Sequence, residues 1–374
     1  MPIGVNFGWG ICGRYLTSEL ARLCPVELVT EDFDHNDVGD DEELLTLQKL
    51  RKNVESPRDK EILNAPLLQA IQGLNLRPWY MEARSPLRIG YTFFERDSID
   101  ADNIKWAQDY YDTIVAGSRW CQKVLNDCGF SHTRTIIQGI DNRIFNPVTR
   151  ERSRYKDSFV IFSGGKLELR KGQDLVIRAL KVMQDKYRDV LLINLWYNQW
   201  TPSMDTMSIS PYIRFEMPRG DYFRAIDHLL KINGIDPDRV ITLPPRPNKQ
   251  LADIYKESDI GLFPNRCEGG TNLVLMEYMA CAKPAIASFV SGHRDVLTND
   301  NSLPIRSLHP FKVQDRDGNI LYRWEEPDLE EIISLLEWAY WHRDELINIG
   351  KTAGEDLSRR TWKDSAEQFL KLIN

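Results

Sequence analysis

Short apolar runs alternate along this chain with longer stretches in which apolar residues recur every third or fourth position. At the start, PIGVNF is apolar enough for a strand, FGWGICG brings three glycines, and RYLTSELARLC places Leu16, Leu20 and Leu23 at helical spacing. A strand, a glycine turn and a helix are expected there. PVELVT, LRIGYTF, DTIVAG and TRTIIQGI read as further strands, with SRWCQKVLNDCGF as a helix between the last two. Residues 139–158, with Pro147 and five Arg or Lys, read as a linker. The alternation then resumes: FVIFSGG, VLLINLW, RVITL, DIGLFP and KPAIAS as strands, separated by KGQDLVIRALKVMQDKY, GDYFRAIDHLLKING, NKQLADIYKES and TNLVLMEYMACA as helices. Strands alternating with helices imply parallel sheets covered on both faces, and two such series imply two doubly wound α/β domains. The expected boundaries are 1–150 and 151–355, with a helix over 356–374 packing back on the first domain. Two stretches, 198–219 and 306–327, read as elaborations between regular elements.

Composition narrows the function classes. With 374 residues, 42% apolar and 28% charged, the chain can bury two cores. Its formal charge of -7 argues against sequence-independent binding to nucleic acid. Eight of the acids fall in residues 31–43, a stretch read as a solvated loop, and outside it acids and bases nearly balance. No apolar run approaches the ~20 residues of a membrane span, so no transmembrane segment is expected. The opening MPIGVNFGWG lacks the basic region and long apolar run of a secretory signal, and a cytoplasmic location is expected. Cys12, Cys24, Cys121, Cys128, Cys267 and Cys281 show no paired spacing and read as small buried hydrophobes. The six histidines are scattered without ligand spacing, so no metal is expected. Of these, His293 follows a strand, and stands either in a cleft or in a plain loop.

Three segments carry candidate chemistry. In CEGGTNLVLMEYMACAKPAIAS, Gly269 and Gly270 allow a tight turn, and Thr271 or Asn272 can cap the helix that follows, whose N-terminus favours a phosphate. On that apolar helix Glu277 either accepts two ribose hydroxyls or pairs with Lys283 at the surface. In FSGGKLELRKGQD, Gly164 and Gly165 end a strand, and Lys166, Arg170 and Lys171 follow on a short loop. This is a plausible clamp for a pyrophosphate whose charge grows as its bond to a sugar breaks. The third, Gly8, Gly10 and Gly13, has the GxGxxG spacing of a dinucleotide site, but ELVTED offers only Glu31 or Asp32 to end the second strand. A Rossmann oxidoreductase is therefore the weaker reading of that motif.

Together these segments resemble the retaining GT-B glycosyltransferases of family four, also called group 1. The resemblance is nearly continuous from Phe159 to about Leu297, and IGYTFFERD, DTIVAGSRWCQKVLNDCGF and IIQGIDNRIFNP follow the family's acceptor-domain landmarks in order. It implies two Rossmann-like domains facing a cleft, C-terminal helices crossing back, and a nucleotide-diphosphate sugar bound by the second domain. It also implies a sugar-containing or hydroxyl acceptor, and no cofactor or metal. By the same resemblance Gly165, Lys166 and Lys171 meet the diphosphate, Lys166 standing where the family has Arg. Glu268 faces the transferred sugar and Glu277 binds the ribose, with eight residues between them where the family has seven. Gly270, Thr271, Asn272 and Leu273 offer backbone to the phosphates, while Gly8, Trp9 and Gly10 approach from the opposite side, and Arg246 lies near the base. GYTFFERD lacks the family's His, which leaves Glu95 as the ionisable group at that strand end. Two or three of Trp9, Trp79, Tyr80, Tyr91, Phe93, Phe94, Trp106, Tyr110 and Tyr111 are expected to face an acceptor sugar. Other uses of the same cleft are a sugar-nucleotide epimerase, a phosphorylase, or a non-catalytic nucleotide-binding partner protein.

Overall fold

The computed structural model describes all residues except 53–62, 149–151, 153, 218–219, 316 and 374. Parts of the expected linker and of both elaborations lie outside the described residues.

Two parallel sheets organise the chain. In the first half the strands Leu67–Ala70, Arg88–Thr92, Thr113–Ala116 and Thr133–Thr135 lie side by side in that order. In the second half six parallel strands run Leu303–Ile305, Ala285–Ser288, Ile260–Phe263, Phe159–Gly164, Val190–Leu195 and Val240–Thr242 across the sheet. Every residue of Phe159–Gly164 and Ile260–Phe263 is buried. Such unbroken apolar strands arise because helices cover both faces. Phe159–Gly164, first in sequence, lies in the middle, and the chain winds outward from it in both directions. Between it and Ile260–Phe263 the winding reverses, so the loops leaving their C-terminal ends diverge and open a crevice.

Two expectations need correction, and a third gains detail. Residues 1–7 form no strand, and the helix Gly8–Leu23 begins at the first glycine of the motif. The glycines serve close backbone packing: a Cβ at Gly10 would stand 2.7 Å from the Gly4 backbone, and one at Gly13 only 1.8 Å from the Pro2 carbonyl oxygen. The acidic stretch 31–43 is not an open loop but holds the helices His35–Val38 and Asp41–Leu50 or their starts. Asp34 accepts from the Asn36 N–H at 2.7 Å and Asp40 from the Glu43 N–H at 3.1 Å, so the acids cap helix N-termini, where the dipole favours them. The 306–327 elaboration is an antiparallel hairpin of Leu308–Gln314 and Ile320–Pro327.

The tail is helical, as Leu329–Trp341, Arg343–Leu357 and Trp362–Ile373. The last of these returns to the first half, where Trp362 stacks on Tyr15 at 5.7 Å and Phe369 meets Tyr91 edge-on at 4.9 Å. Trp362, Ala366 and Phe369 thereby share a buried core with Ile11, Leu16, Ile89 and Val115. Among the described residues, no helix is long and apolar enough to cross a membrane. All six cysteines are free, four of them buried.

Candidate functional site

The crevice predicted by the strand order holds a cavity of about 360 Å³, walled by the loops after Phe159–Gly164 and Ile260–Phe263 and by residues of the first half. Its two ends differ in charge.

At one end the loop after Phe159–Gly164 turns at Gly165, whose φ of +116° favours glycine. It continues through Lys166 to a single 3-10 turn, Leu169–Lys171. Gly172 presses this turn onto the other loop, since a Cβ there would stand 2.0 Å from the Pro264 carbonyl oxygen. Lys171 Nζ lies 2.5 Å from Glu268 Oε1, and Arg170 lies 3.1 Å from the same oxygen. Arg170 also pairs with Glu168 at 2.5 Å and Glu95 at 3.4 Å, and donates to the Cys267 carbonyl at 3.1 Å. Burial alone would push the Glu268 carboxyl up, but Lys171 and Arg170 outweigh it and hold the pKa at about 2. Burial lowers the pKa of Lys171. Lys166, more exposed, stands 3.4 Å from Glu168 and 4.8 Å from the centre of the Trp200 ring. The three cations expected to form a clamp do converge on the cavity wall. They are shared, however, among three glutamates that any incoming anion must displace or outcompete.

At the other end Glu277, 3% exposed, accepts from Asn248 Nδ2 at 3.1 Å and from the Tyr255 hydroxyl at 3.5 Å. Burial pushes its pKa up to about 8, against the opposing pull of Asn248 and of Arg14. The surface pairing with Lys283 does not occur, because Lys283 Nζ reaches the Lys256 carbonyl at 3.4 Å instead. Asn248 is itself held by Arg14 at 3.2 Å, and Arg14 is fixed by the Val38 carbonyl at 2.9 Å and by Glu43 at 3.2 Å. Sequence reasoning passed over both residues. Arg14 stood at the end of the glycine motif, and only its burial shows that it supports Asn248.

Between the two ends lies the glycine turn. Neither expected cap is present: Asn272, with a φ of +62°, makes no capping bond, and the Thr271 hydroxyl lies 2.8 Å from Met276 Sδ. Asn272 Nδ2 instead meets His293 Nε2 at 3.2 Å, and His293 Nδ1 lies 3.0 Å from the Ser288 carbonyl oxygen. His293 is thus neither a cleft residue nor a plain loop residue but a buried brace, and burial lowers its pKa to about 4. With no side chain on them, the first-turn N–H groups of the helix Leu273–Ala280 stay uncapped beside Asn272, Leu273 and Val274 on the cavity wall. A helix start of this kind suits an anion.

Gly8, Trp9, Glu95, Gly165, Arg246 and Gly270 also line the cavity, whereas Gly10 and Thr271 do not. Gly10 is buried against Gly4, and Thr271 is enclosed beneath the turn. Of the nine aromatics, Trp9, Trp79 and Phe93 reach the cavity, with Trp9 edge-on to Phe93 at 4.7 Å. Tyr91, Phe94, Tyr110 and Tyr111 are buried, and Trp106 stacks on Tyr110 at 4.8 Å. Trp200 lines the cavity from the first elaboration, a stretch whose role the sequence did not disclose, and Tyr197 lines it just before that stretch.

Comparison with known proteins bears on the family likeness and the fold. A family model described as glycosyl transferases group 1 matches residues 218–312. The chain is 28% identical over 166 residues to the D-inositol 3-phosphate glycosyltransferase of Xylanimonas cellulosilytica, covering 44% of this chain and 34% of that one. With the protein of the same name from Corynebacterium kroppenstedtii it shares 27% over 251 residues, 65% of this chain and 48% of the other. The match spans about a third to a half of the length of these relatives. Among solved structures, sucrose-phosphate synthase from Thermosynechococcus elongatus superposes with a TM-score of 0.67 at 17% identity, covering 100% of this chain and 94% of that one. HepE from Anabaena, in complex with UDP and glucose, superposes with a TM-score of 0.58 at 15% identity, covering 77% and 71%. The fold is GT-B, and the resemblance to group 1 glycosyltransferases holds in both sequence and architecture.

Proposed function

We propose that this chain transfers a sugar from a nucleoside-diphosphate sugar to a hydroxyl acceptor, with retention of anomeric configuration. The observation that carries the reading is the pairing, across one switch-point crevice, of Lys166, Arg170 and Lys171 with the uncapped start of Leu273–Ala280. A diphosphate fits between them, and Glu277, further along the same helix, is placed to accept two ribose hydroxyls. The relatives named as glycosyltransferases, and the UDP bound in HepE, support the choice of donor class.

In the proposed step the acceptor oxygen attacks the anomeric carbon on the face from which the diphosphate leaves. The bond from that carbon to the diphosphate oxygen breaks, and the acceptor proton passes to that oxygen. No protein nucleophile is needed, and catalysis rests on positioning and on charge stabilisation. Lys171 and Arg170 meet the growing negative charge, and Lys166 supplies a further cation at the mouth. Glu268 keeps both cations in place and remains ionised throughout. Side chains supply the charge neutralisation, so the reaction is proposed to be metal-independent.

Thermal unfolding in the presence of UDP, GDP or ADP and their sugars is the first test, because a ligand that binds the native state raises its stability. One nucleotide is expected to raise the midpoint, and Lys171→Ala and Glu277→Ala are each expected to diminish that shift and sharply reduce transfer. Wild-type transfer by both variants would refute the site. Product analysis separates transfer from epimerisation or phosphorolysis, since only transfer joins the sugar to a second hydroxyl compound.

A further inference from the structure

A second cavity, of about 340 Å³, meets the first at Phe93, Glu95 and Arg170. Its far wall is built by the two elaborations: Ser203 and Thr206 from one, Tyr322 and Trp324 from the hairpin. The hairpin is held on both sides. Towards the first half, Trp324 Nε1 donates to the Glu95 carbonyl at 2.9 Å and Arg323 pairs with Asp97 at 3.1 Å. Towards the second half, Arg266, 1% exposed, joins Glu326 of the hairpin to Asp174 at 2.7 Å and to the Leu169 carbonyl at 2.6 Å. Its backbone N–H also donates to the Arg170 carbonyl at 2.8 Å. One element thus fixes the backbone at Glu95 and the turn that carries Arg170, the two charged residues at which the cavities meet.

We propose that this second cavity is the acceptor subsite and that it selects an uncharged saccharide. This rests on the transferase reading above. The cavity opens beside the cations that face the leaving diphosphate, which is where an acceptor hydroxyl must arrive. Tyr322, Trp324 and Phe93 offer ring faces and edges to the C–H face of a sugar, while Glu95, Ser203 and Thr206 supply oxygens. The same wall disfavours a phosphorylated acceptor. Glu95 and Glu168 both stand on it, and its cation Arg170 is already held by these two and by Glu268. Arg96, the other cation of the lining, lies over the Tyr322 ring at 5.4 Å. Two carboxylates and two guanidinium groups leave the wall without net charge for an anion.

The test uses the full chain saturated with the nucleoside diphosphate that stabilises it. Methyl α- and β-glycosides of glucose, galactose, mannose and N-acetylglucosamine, and their 6-phosphates, are probed by saturation-transfer NMR. At least one uncharged glycoside is expected to bind, its 6-phosphate at least tenfold more weakly. Leu74→Trp, which enlarges an exposed residue of the second cavity's lining, and Tyr322→Ala, which removes a ring face, should each weaken that glycoside at least tenfold. Neither should change the thermal shift given by the nucleotide. The proposal is overturned if no glycoside binds, if the 6-phosphates bind as well, or if both variants bind like wild type. A protein that binds glycosides at these residues but no nucleoside diphosphate would instead refute the reading of the first cavity.

Discussion

Glu268 and Glu277 lie on one turn and the helix it begins, yet the two ends of the cavity treat them in opposite ways. Glu268 is as buried as Glu277, but Lys171 and Arg170 stand against it, and it stays ionised with a pKa held at about 2. Glu277 has amide and phenol partners rather than cations in contact, and burial wins, raising its pKa to about 8. Desolvation is similar at the two positions, so the difference comes from the neighbours. One end is built to manage charge. The other is built to hold neutral hydrogen-bonding groups until a ligand arrives.

The hardest blow to this contrast is Lys171→Ala. Transfer should fall by about two to three orders of magnitude, as when an oxyanion donor is removed. Stability should also drop by about 1–3 kcal/mol, because the buried Glu268 loses its nearest partner while Arg170 remains beside it. Adding Glu268→Gln should recover most of the stability and none of the rate, which separates the two effects in one set of unfolding and kinetic measurements. A double variant that regained activity would show that Lys171 serves Glu268 alone.

At the neutral end, Glu277→Gln should weaken the nucleoside diphosphate by about tenfold, the scale of one hydrogen bond. Its pH dependence sharpens the comparison further. A carboxyl with a folded pKa of about 8, above its ordinary value of 4.5, keeps in the native state a proton that the unfolded chain gives up. Wild-type stability should therefore fall as pH rises through that window and level off above it. The glutamine variant lacks this loss, so its midpoint should exceed that of wild type at pH 8, with the gap closing towards pH 4.5. A gap independent of pH would mean that Glu277 is ionised in the free protein. Asn248→Ala should cost about 1 kcal/mol of nucleotide affinity by loosening Glu277. Smallest is Thr271→Ala, which should leave nucleotide affinity unchanged in titration calorimetry, since its hydroxyl serves Met276 and not the cavity.

The pattern of apolar runs disclosed both sheets and nearly every strand of the second half, because buried parallel strands and amphipathic helices leave strong periodicities. The charged glycine loop, the apolar helix and, for Glu268, the family resemblance pointed to Lys171, Glu268 and Glu277, and the structure places all three on the wall of one cavity because turns at the ends of central strands face a common crevice. Where that reading failed, contacts distant in sequence decided. Gly10 reads as a phosphate turn until the Gly4 backbone is found against it, and Thr271 reads as a cap until Met276 takes its hydroxyl. Arg14 and Asn248 are far apart in the chain, and nothing local announces that one holds the other. The acidic stretch misled for a different reason. Its charge pointed rightly to solvent, where most of these acids do stand, but not to helix, although Asp34 and Asp40 occupy the helix-start positions where short acids fit best.

The returning helix Trp362–Ile373 also orders the birth of the molecule. Tyr91 belongs to a strand near the middle of the first sheet, yet one of the rings packed on it, Phe369, arrives only once the chain has been made almost to its last helix turn. Until then the first half has an open flank of Ile11, Leu16, Ile89 and Val115, and the second half is synthesised beside it. Of the two halves, the one made earlier is accordingly the one whose core is completed later.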